Sequence, residues 1–331
     1  MEIDEFQTLS GRILRSTYGV FVGDGIVVQK MLCAALAGGH VLFEDNPGMG
    51  KTLLAKTFAR ILGCDWNRVQ FTPDMMPGDI LGARIWKDAR TGFVLEKGPV
   101  FTNILLADEI NRAPPKTQSA LLEAMEERQV TIEGTTYRLE RPYFVIATEN
   151  PIELEGTFPL PEAQLDRFLV KMSTGYVKTV EQESEILRRR ISWRTDNPID
   201  LIENVVSRPQ VVAMQDVVES KVYVDNQILD YVSQIIRATR EHPALEVGAS
   251  PRGGLALLKL SRAYAAMCGR DFVTPDDIKA FVFEALGHRV IMGIEYEIEG
   301  NITSKTVIQE VVAEIEPPHD YVRQGQGFIR R

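Results

Sequence analysis

The sequence has few of the residues that crosslink small proteins or bind transition metals. Its 331 residues include three cysteines and four histidines. Cys33, Cys64 and Cys268 lie far apart and show no metal-ligand spacing, which excludes a small disulfide-stapled scaffold. The histidines form no HExxH pattern or other paired ligands. We therefore expect reduced, buried thiols in a reducing compartment.

Long apolar runs and an excess of positive charge are also missing. No stretch approaches the roughly 18 consecutive apolar residues of a membrane span, and the N-terminal MEIDEF is acidic, unlike a secretory signal. These features predict a cytoplasmic protein without a membrane span. Lys and Arg number 37 against 46 Asp and Glu, and the net charge of −9 argues against a surface built to neutralise nucleic acid. A small basic pore or patch is still compatible with that balance.

Short apolar runs alternate with amphipathic segments up to about Met172. Four runs rich in β-branched and aromatic residues predict strands of a mainly parallel sheet, at Val41–Phe43, Val69–Phe71, Ile104–Ala107 and Tyr143–Ala147. Helical periodicity lies between them, at Lys51–Leu62 and Lys116–Glu127. This alternation predicts an α/β fold.

After Gly175 the pattern becomes mostly helical. Apolar residues recur every three or four positions in Val180–Arg194, Asp225–Arg240, Pro251–Cys268 and Pro275–Leu286. We therefore predict an α/β domain over residues 1–175, an all-α domain over 176–316 and a flexible tail over 317–331.

A glycine-rich segment joins the first predicted strand to a helix and reads Asn46-Pro47-Gly48-Met49-Gly50-Lys51-Thr52. Gly48 and Gly50 let backbone amides approach an anion, and the start of the helix favours negative charge. Lys51 suits the β- and γ-phosphates of a nucleotide, and Thr52 offers a hydroxyl to Mg²⁺. The GxxxxGK[ST] pattern departs at its first position, Asp45, which we expect to tolerate a positive φ. A glycine-rich surface turn before a helix is the alternative.

Two later predicted strands end in polar side chains. Asp108 and Glu109 follow Ile104–Ala107, about 55 residues after the glycine-rich segment. At the carboxyl edge of the sheet, Asp108 suits the surroundings of a Mg²⁺ ion and Glu109 suits the general base that activates water. Alone, such a pair also occurs as a plain strand cap. Asn150 follows Tyr143–Ala147 and could bond a phosphate and the attacking water, although an Asn-Pro turn is the simpler local interpretation.

With these motifs in place, the chain resembles MoxR-type AAA+ ATPases of the helix-2-insert clade, from about Val20 to Val290. The most specific match reads Ala107-Asp108-Glu109-Ile110-Asn111-Arg112-Ala113-Pro114-Pro115-Lys116-Thr117-Gln118. Further matches lie at 98–101, 160–168 and 248–252. The resemblance implies a P-loop AAA+ core with a parallel sheet and a helical lid. It also implies Mg²⁺-dependent ATP hydrolysis by a hexameric ring.

The same resemblance assigns roles to residues that spacing does not identify. Asn150 resembles the sensor-1 residue, Arg167 an arginine finger directed at a neighbouring subunit, and Arg252 the sensor-2 residue of the lid. Together with Lys51 and Glu109 they form the expected catalytic set. The residues expected to bind ATP or ADP are Val22, Gly23, Asn46, Pro47, Gly48, Met49, Gly50, Lys51, Thr52, Leu53 and Arg252. The residues expected to bind Mg²⁺ are Thr52 and Asp108.

Three segments depart from a minimal core. Residues 71–100 correspond to a helix-2 insert, and alternation about Glu133-Gly134-Thr135 predicts a hairpin over 128–139. Ordinary surface loops are the alternative interpretation of both segments. Gly253 and Gly254 follow Arg252, and each costs a helix about 1 kcal/mol relative to Ala, which predicts a loose helix start.

The implied function is chaperone-like remodelling, assembly or cofactor maturation of a protein client, with a von Willebrand factor A-domain protein as partner. Two other classes remain: a DNA-directed motor or clamp loader, and a nucleotide-gated scaffold that does not hydrolyse ATP. The acidic balance and the lack of an appended DNA-binding motif argue against the first. The full set of catalytic residues argues against the second. No residue names the client.

Overall fold

A computed structural model describes residues 1–46, 48–88, 92–151, 156–299 and 302–319. Contacts divide the chain into two compact units, one of Thr8–Gln215 and one of Met1–Gln7 with the chain from Asp216 onward. Packing thus places the division at Gln215, beyond the change in periodicity near Gly175. The domain limits given above stay a prediction, and residues 320–331 of the predicted tail lie outside the described residues.

The first unit combines a parallel sheet, two hairpins and flanking helices. Its strands are β1 (Val41–Glu44), β2 (Trp66–Gln70), β3 (Gly82–Asp88), β4 (Gly92–Lys97), β5 (Ile104–Asp108), β6 (Gln129–Ile132), β7 (Thr135–Arg138), β8 (Phe144–Glu149) and β9 (Val170–Met172). The helices up to the division are α1 (Ile3–Tyr18), α2 (Gly25–Leu36), α3 (Lys51–Ile61), α4 (Pro77–Leu81), α5 (Pro115–Glu127), α6 (Glu162–Leu165), α7 (Val180–Trp193) and α8 (Arg208–Lys221). Short 3-10 helices lie at Ile110–Arg112 and Pro198–Leu201.

Five parallel strands form the sheet in the order β2-β5-β8-β1-β9. The four apolar runs predicted as strands supply β2, β5, β8 and β1, so the α/β prediction is confirmed. Register places Gln70 opposite Asp108, and Glu44 opposite Glu149. Because all five strands run the same way, their polar carboxyl ends meet at one edge.

The core of this unit lies between the sheet and α5. Leu105 and Val145 pair in register and are fully buried, as are Leu121 and Leu122 of α5. His40, one of the four histidines, also belongs to this core. Its Nδ1 accepts from the backbone N–H of Val145 at 3.0 Å, so Nε2 carries the proton donated to the Met125 carbonyl at 3.1 Å. This histidine therefore ties β8 to α5.

Two hairpins leave the sheet. β6 and β7 are joined by Glu133 and Gly134, both with positive φ, as a two-residue hairpin turn requires. In the 71–100 segment, α4 leads into the antiparallel pair β3–β4. This pair exposes Trp86 and Phe93, whose rings meet edge to face at 5.3 Å.

The second unit is helical, which confirms the predicted lid class, and it also contains one short antiparallel strand pair. Its elements are α9 (Asn226–Glu241), β10 (Leu245–Val247), α10 (Pro251–Met267), α11 (Pro275–Lys279), α12 (Val282–Leu286), β11 (Ile291–Met292), α13 (Ile294–Glu299) and α14 (Ser304–Glu314). Among the helices of the described segments, none is long and apolar enough to cross a membrane.

One helical expectation in this unit is wrong in detail. Pro275–Leu286 is two helices, because the chain leaves helical geometry at Phe281, whose buried ring packs edge to face on Tyr264. The expected loose start of α10 stays a prediction. Gly253 is buried, and a Cβ there would come within 2.8 Å of Leu286 Cδ2, so the missing side chain permits close packing.

Candidate active site

The glycine-rich loop connects β1 to α3. Gly48 and Gly50 have φ of 84° and 76°, a region that glycine adopts freely, and Gly50 is the N-cap of α3. Pro47 lies outside the described residues. Lys51 Nζ donates to the carbonyls of Asp45 at 3.1 Å and Asn46 at 3.4 Å. The loop therefore presents the N-terminus of α3, and its lysine lies folded against the preceding backbone.

Burial lowers the pKa of the Lys51 ammonium, and the carboxylates of Asp45, Asp108 and Glu109 oppose that shift. The three carboxylates thus help to keep a partly buried ammonium charged. A charged ammonium is the form that binds phosphate.

Asp45 is held differently from the expectation. It is not among the described residues with positive φ, and its buried carboxylate accepts hydrogen bonds from the segment after β9. The donors are the backbone N–H of Thr174 at 2.9 Å, the Thr174 hydroxyl at 3.0 Å, the Ser173 hydroxyl at 2.6 Å and the Gly175 N–H at 3.3 Å. Asp45 therefore anchors the start of the loop to the end of β9.

The acidic pair ends β5, and Thr148 of β8 connects its two members. The Thr148 hydroxyl accepts from the Glu109 N–H at 2.8 Å and donates to Asp108 Oδ1 at 2.7 Å. Glu109 has a φ of 57°, a sparsely populated conformation for a residue with a side chain. Its Oε2 accepts from Gln70 Nε2 at 2.7 Å and lies 2.8 Å from Arg112 Nε. Both carboxylates are therefore held by neighbouring side chains.

Asn150 follows β8 and is buried. The Asn111 side-chain amide donates to its carbonyl at 3.4 Å. Together with the loop and the acidic pair, Asn150 lines a cavity of about 380 Å³. Within the first unit the structure thus brings together eight of the predicted residues: Gly48, Met49, Gly50, Lys51, Thr52, Asp108, Glu109 and Asn150. In the described residues, no group of three or more His, Cys, Asp or Glu could hold a metal ion by itself.

A second cavity, of about 320 Å³, lies on the other side of the loop and shares Gly48, Met49 and Gly50 with the first. Val22, Gly23 and Leu53 line it, as predicted for nucleotide contacts. The remaining wall comes from Phe21, from Gly175–Val177 and from one face of α7. A mostly apolar cleft of this size beside a phosphate loop suits the base of a nucleotide.

Each of the two predicted arginines is described within its own unit. Arg167 Nη1 is 3.1 Å from Glu126 Oε2 and lines a separate cavity of about 440 Å³. Arg252 belongs to the second unit, in the first turn of α10, where its N–H donates to the N-cap Ser250 at 3.2 Å.

Sequence reasoning missed four polar residues around the acidic pair: Arg68, Gln70, Arg112 and Thr148. Arg68 and Gln70 are two apart on a strand and therefore share a face, which the sequence does indicate. It does not indicate that β2 lies beside β5. The partners of these side chains follow from strand order, which local patterns leave open.

A glycine-rich loop between a parallel strand and a helix, facing an acidic pair at the same sheet edge, defines a P-loop nucleoside triphosphatase. Residues 40–170 match the ATPase family associated with various cellular activities (AAA), and residues 237–311 match the AAA lid domain. An AAA domain implies nucleotide binding.

The chain is 40% identical to Chaperone MoxR1 of Mycobacterium tuberculosis, over 93% of this chain and 82% of that protein. It is 30% identical to Protein MoxR of Methylorubrum extorquens, over 89% of this chain and 91% of that protein. A crystal structure described as a candidate ATPase of Cytophaga hutchinsonii has a TM-score of 0.88 at 36% identity, covering 96% of this chain and 97% of that one. The chain belongs to the MoxR family of AAA+ ATPases, which confirms the family and the ATPase class expected from the motifs.

Replacing Asp45 with Asn should lower the free energy of unfolding by about 2–3 kcal/mol, because hydrogen bonds to a buried carboxylate are lost and the Thr174 N–H faces an amide. Urea unfolding measures the change. Ser173→Ala, which removes one hydroxyl donor to Asp45, is the matched control and should cost about 1 kcal/mol. Equal costs for the two variants would contradict the anchoring role.

Glu149, which also lines the loop cavity, should make stability depend on pH. Burial raises its pKa to about 7, Lys171 opposes the shift and Glu44 adds to it. The folded state therefore holds a proton that the unfolded chain, with a pKa near 4.5, has already released. Stability should fall as pH rises from about 4.5 to about 7. Glu149→Gln should remove this dependence and stabilise the protein at pH 8 by about 1–2 kcal/mol, measured by urea unfolding at several pH values. A wild-type slope retained in the variant would exclude Glu149 as its source.

Proposed function

We propose that this chain is a Mg²⁺-dependent ATPase that works as a ring and remodels protein clients. The observation that carries the proposal is the cavity lined jointly by Lys51, Thr52, Asp108, Glu109 and Asn150. These side chains supply the charge compensation and the water activation that phosphoryl transfer requires. The apolar cavity across the loop supports an adenine nucleotide, ATP before hydrolysis and ADP after it.

The donor set beside the loop fits Mg²⁺. Thr52 offers a hydroxyl and Asp108 a carboxylate, and both line the same cavity. Mg²⁺ prefers oxygen ligands and keeps several waters, so two protein ligands suffice when phosphates supply others. When bound, the ion neutralises charge on the β- and γ-phosphate oxygens.

Glu109 is the proposed general base for the attacking water, and Asn150 its positioning partner. Gln70 donates a hydrogen bond to Glu109 Oε2, and Arg112 forms an ion pair with the same oxygen. These contacts stabilise the charged carboxylate and make it a weaker base, so we expect nucleotide binding to loosen them. Lys51 would exchange the backbone carbonyls it now contacts for phosphate oxygens.

Arg167 supports a ring, because it lines a cavity separate from its own phosphate loop. A guanidinium in that position suits the transition state of a neighbouring subunit's reaction. We propose a hexamer, with Arg252 of the lid as a further cation on the nucleotide. We also propose a cytoplasmic location, as the sequence predicts.

Remodelling, assembly or cofactor maturation of a protein client is the proposed use of the hydrolysis energy. Support comes from the relative named Chaperone MoxR1. A von Willebrand factor A-domain protein is the proposed partner. Salt-sensitive stimulation of hydrolysis by duplex DNA would instead favour a DNA-directed motor.

Glu109→Gln should lower ATP hydrolysis by about 10²–10⁴-fold, because the amide cannot accept the proton of water. The variant should still bind ATP, which makes it a trap for clients identified by co-purification. Phosphate release and binding of a fluorescent ATP analogue measure the two effects. Glu96→Gln, on the exposed β4, is the charge-matched control and should hydrolyse ATP like the unmodified chain. Unchanged hydrolysis in Glu109→Gln would contradict the role of Glu109 as the general base.

Mixed rings test whether Arg167 acts on a neighbour. Arg167→Ala and Lys51→Ala proteins should each hydrolyse ATP poorly alone. Their mixture should recover part of the activity, because an intact loop in one subunit can receive an intact arginine from the next. Phosphate release across mixing ratios, with co-assembly shown by light scattering, measures the recovery. Co-assembled mixtures without any recovery would count against catalysis between subunits.

A further inference from the structure

Arg68 lies in the loop cavity, although no sequence motif assigns it a role. It belongs to β2, the edge strand beside β5, and its side chain is 44% exposed. Its Nη2 donates to Asp108 Oδ2 at 2.7 Å and to Gln70 Oε1 at 2.8 Å, and its Nε lies 3.2 Å from the same Asp108 oxygen. Two nitrogens of one guanidinium therefore converge on one carboxylate oxygen.

The other oxygen of Asp108 is also engaged, since Oδ1 accepts from the Thr148 hydroxyl at 2.7 Å. The Asp108 side chain is only 13% exposed. A divalent cation that approaches this carboxylate must displace a hydrogen bond and also meet the positive charge of Arg68. Lys51, in the same cavity, adds to that repulsion. Within the cavity, the negative charge of Asp108 is therefore opposed by Arg68 and Lys51.

We propose that Arg68 is a positioning residue of the metal site: it pairs with Asp108 and yields to Mg²⁺ only when a nucleoside triphosphate enters the cavity. The inference rests on the proposed role of Asp108 as a metal ligand. Phosphate groups supply a new anionic partner for the guanidinium and new oxygen ligands for the ion. Metal and nucleotide thus bind together, and neither free Mg²⁺ nor an unpaired Asp108 persists in the site.

Mn²⁺, which replaces Mg²⁺ and is visible by electron paramagnetic resonance, tests this inference without measuring hydrolysis. In protein prepared without nucleotide, Arg68→Ala should bind Mn²⁺ about two- to fivefold more tightly than the unmodified chain, since the competing ion pair is gone. Arg68→Gln keeps the length and polarity of the side chain without its charge, and should show the same gain. With a saturating ATP analogue that resists hydrolysis, the gain of both Arg68 variants over the unmodified chain should disappear, because Arg68 then no longer competes for Asp108.

Two further variants test whether the gain in Mn²⁺ affinity comes from the loss of the Arg68–Asp108 ion pair. Arg84→Ala removes the same charge from β3, outside the cavity, and should leave Mn²⁺ affinity unchanged. Arg68→Ala combined with Asp108→Asn should lose the gained site. Unchanged Mn²⁺ affinity in both Arg68 variants would overturn the inference, as would a gain that survives Asp108→Asn.

The same measurements separate this inference from the proposed function. If Asp108→Asn alone binds Mn²⁺ with nucleotide as tightly as the unmodified chain, Asp108 is not the metal ligand. The inference about Arg68 and the proposed role of Asp108 then both fail. If Asp108→Asn loses that binding while the Arg68 variants gain nothing, only the role of Arg68 fails.

Discussion

The parallel register of β5, β8 and β1 is the constraint on which the site depends. Because these strands run in one direction, each places its first polar residues at the same edge of the sheet. The acidic pair after β5, the polar end of β8 and the glycine-rich loop after β1 therefore line one cavity. The buried hydrophobic core between the sheet and α5 holds this alignment.

Charged side chains at this edge of the sheet are paired with one another. Arg68 contacts Asp108, Arg112 contacts Glu109, and Lys51 lies against the backbone of its own loop. A protein with a net charge of −9 thus keeps its anion-binding cations partnered inside the site. A nucleotide that binds then replaces one partner of these charges by another. Paired charges lose less water in this exchange than hydrated, unpaired charges would lose.

Much of the first unit could be predicted from local patterns. The four apolar runs became strands because short β-branched segments between turn residues suit a sheet buried on both faces. The glycine-rich loop and the acidic pair could also be predicted, since their chemistry depends on residue type and order. Other features could not be predicted from local patterns. The short edge strand β9 lacks a distinctive pattern, and the division of Pro275–Leu286 follows from where the ring of Phe281 is buried.

The sequence by itself determined the class of protein, the glycine-rich loop and the carboxylates that line the same cavity. These depend on residue types and spacing along the chain, which folding does not alter. Only the tertiary structure decided that Asp45 anchors the loop to Thr174, that Gly253 allows close packing and that Arg68 contacts Asp108. The reason is physical: each of these contacts joins segments far apart in the sequence, and strand order and helix packing set which side chains meet.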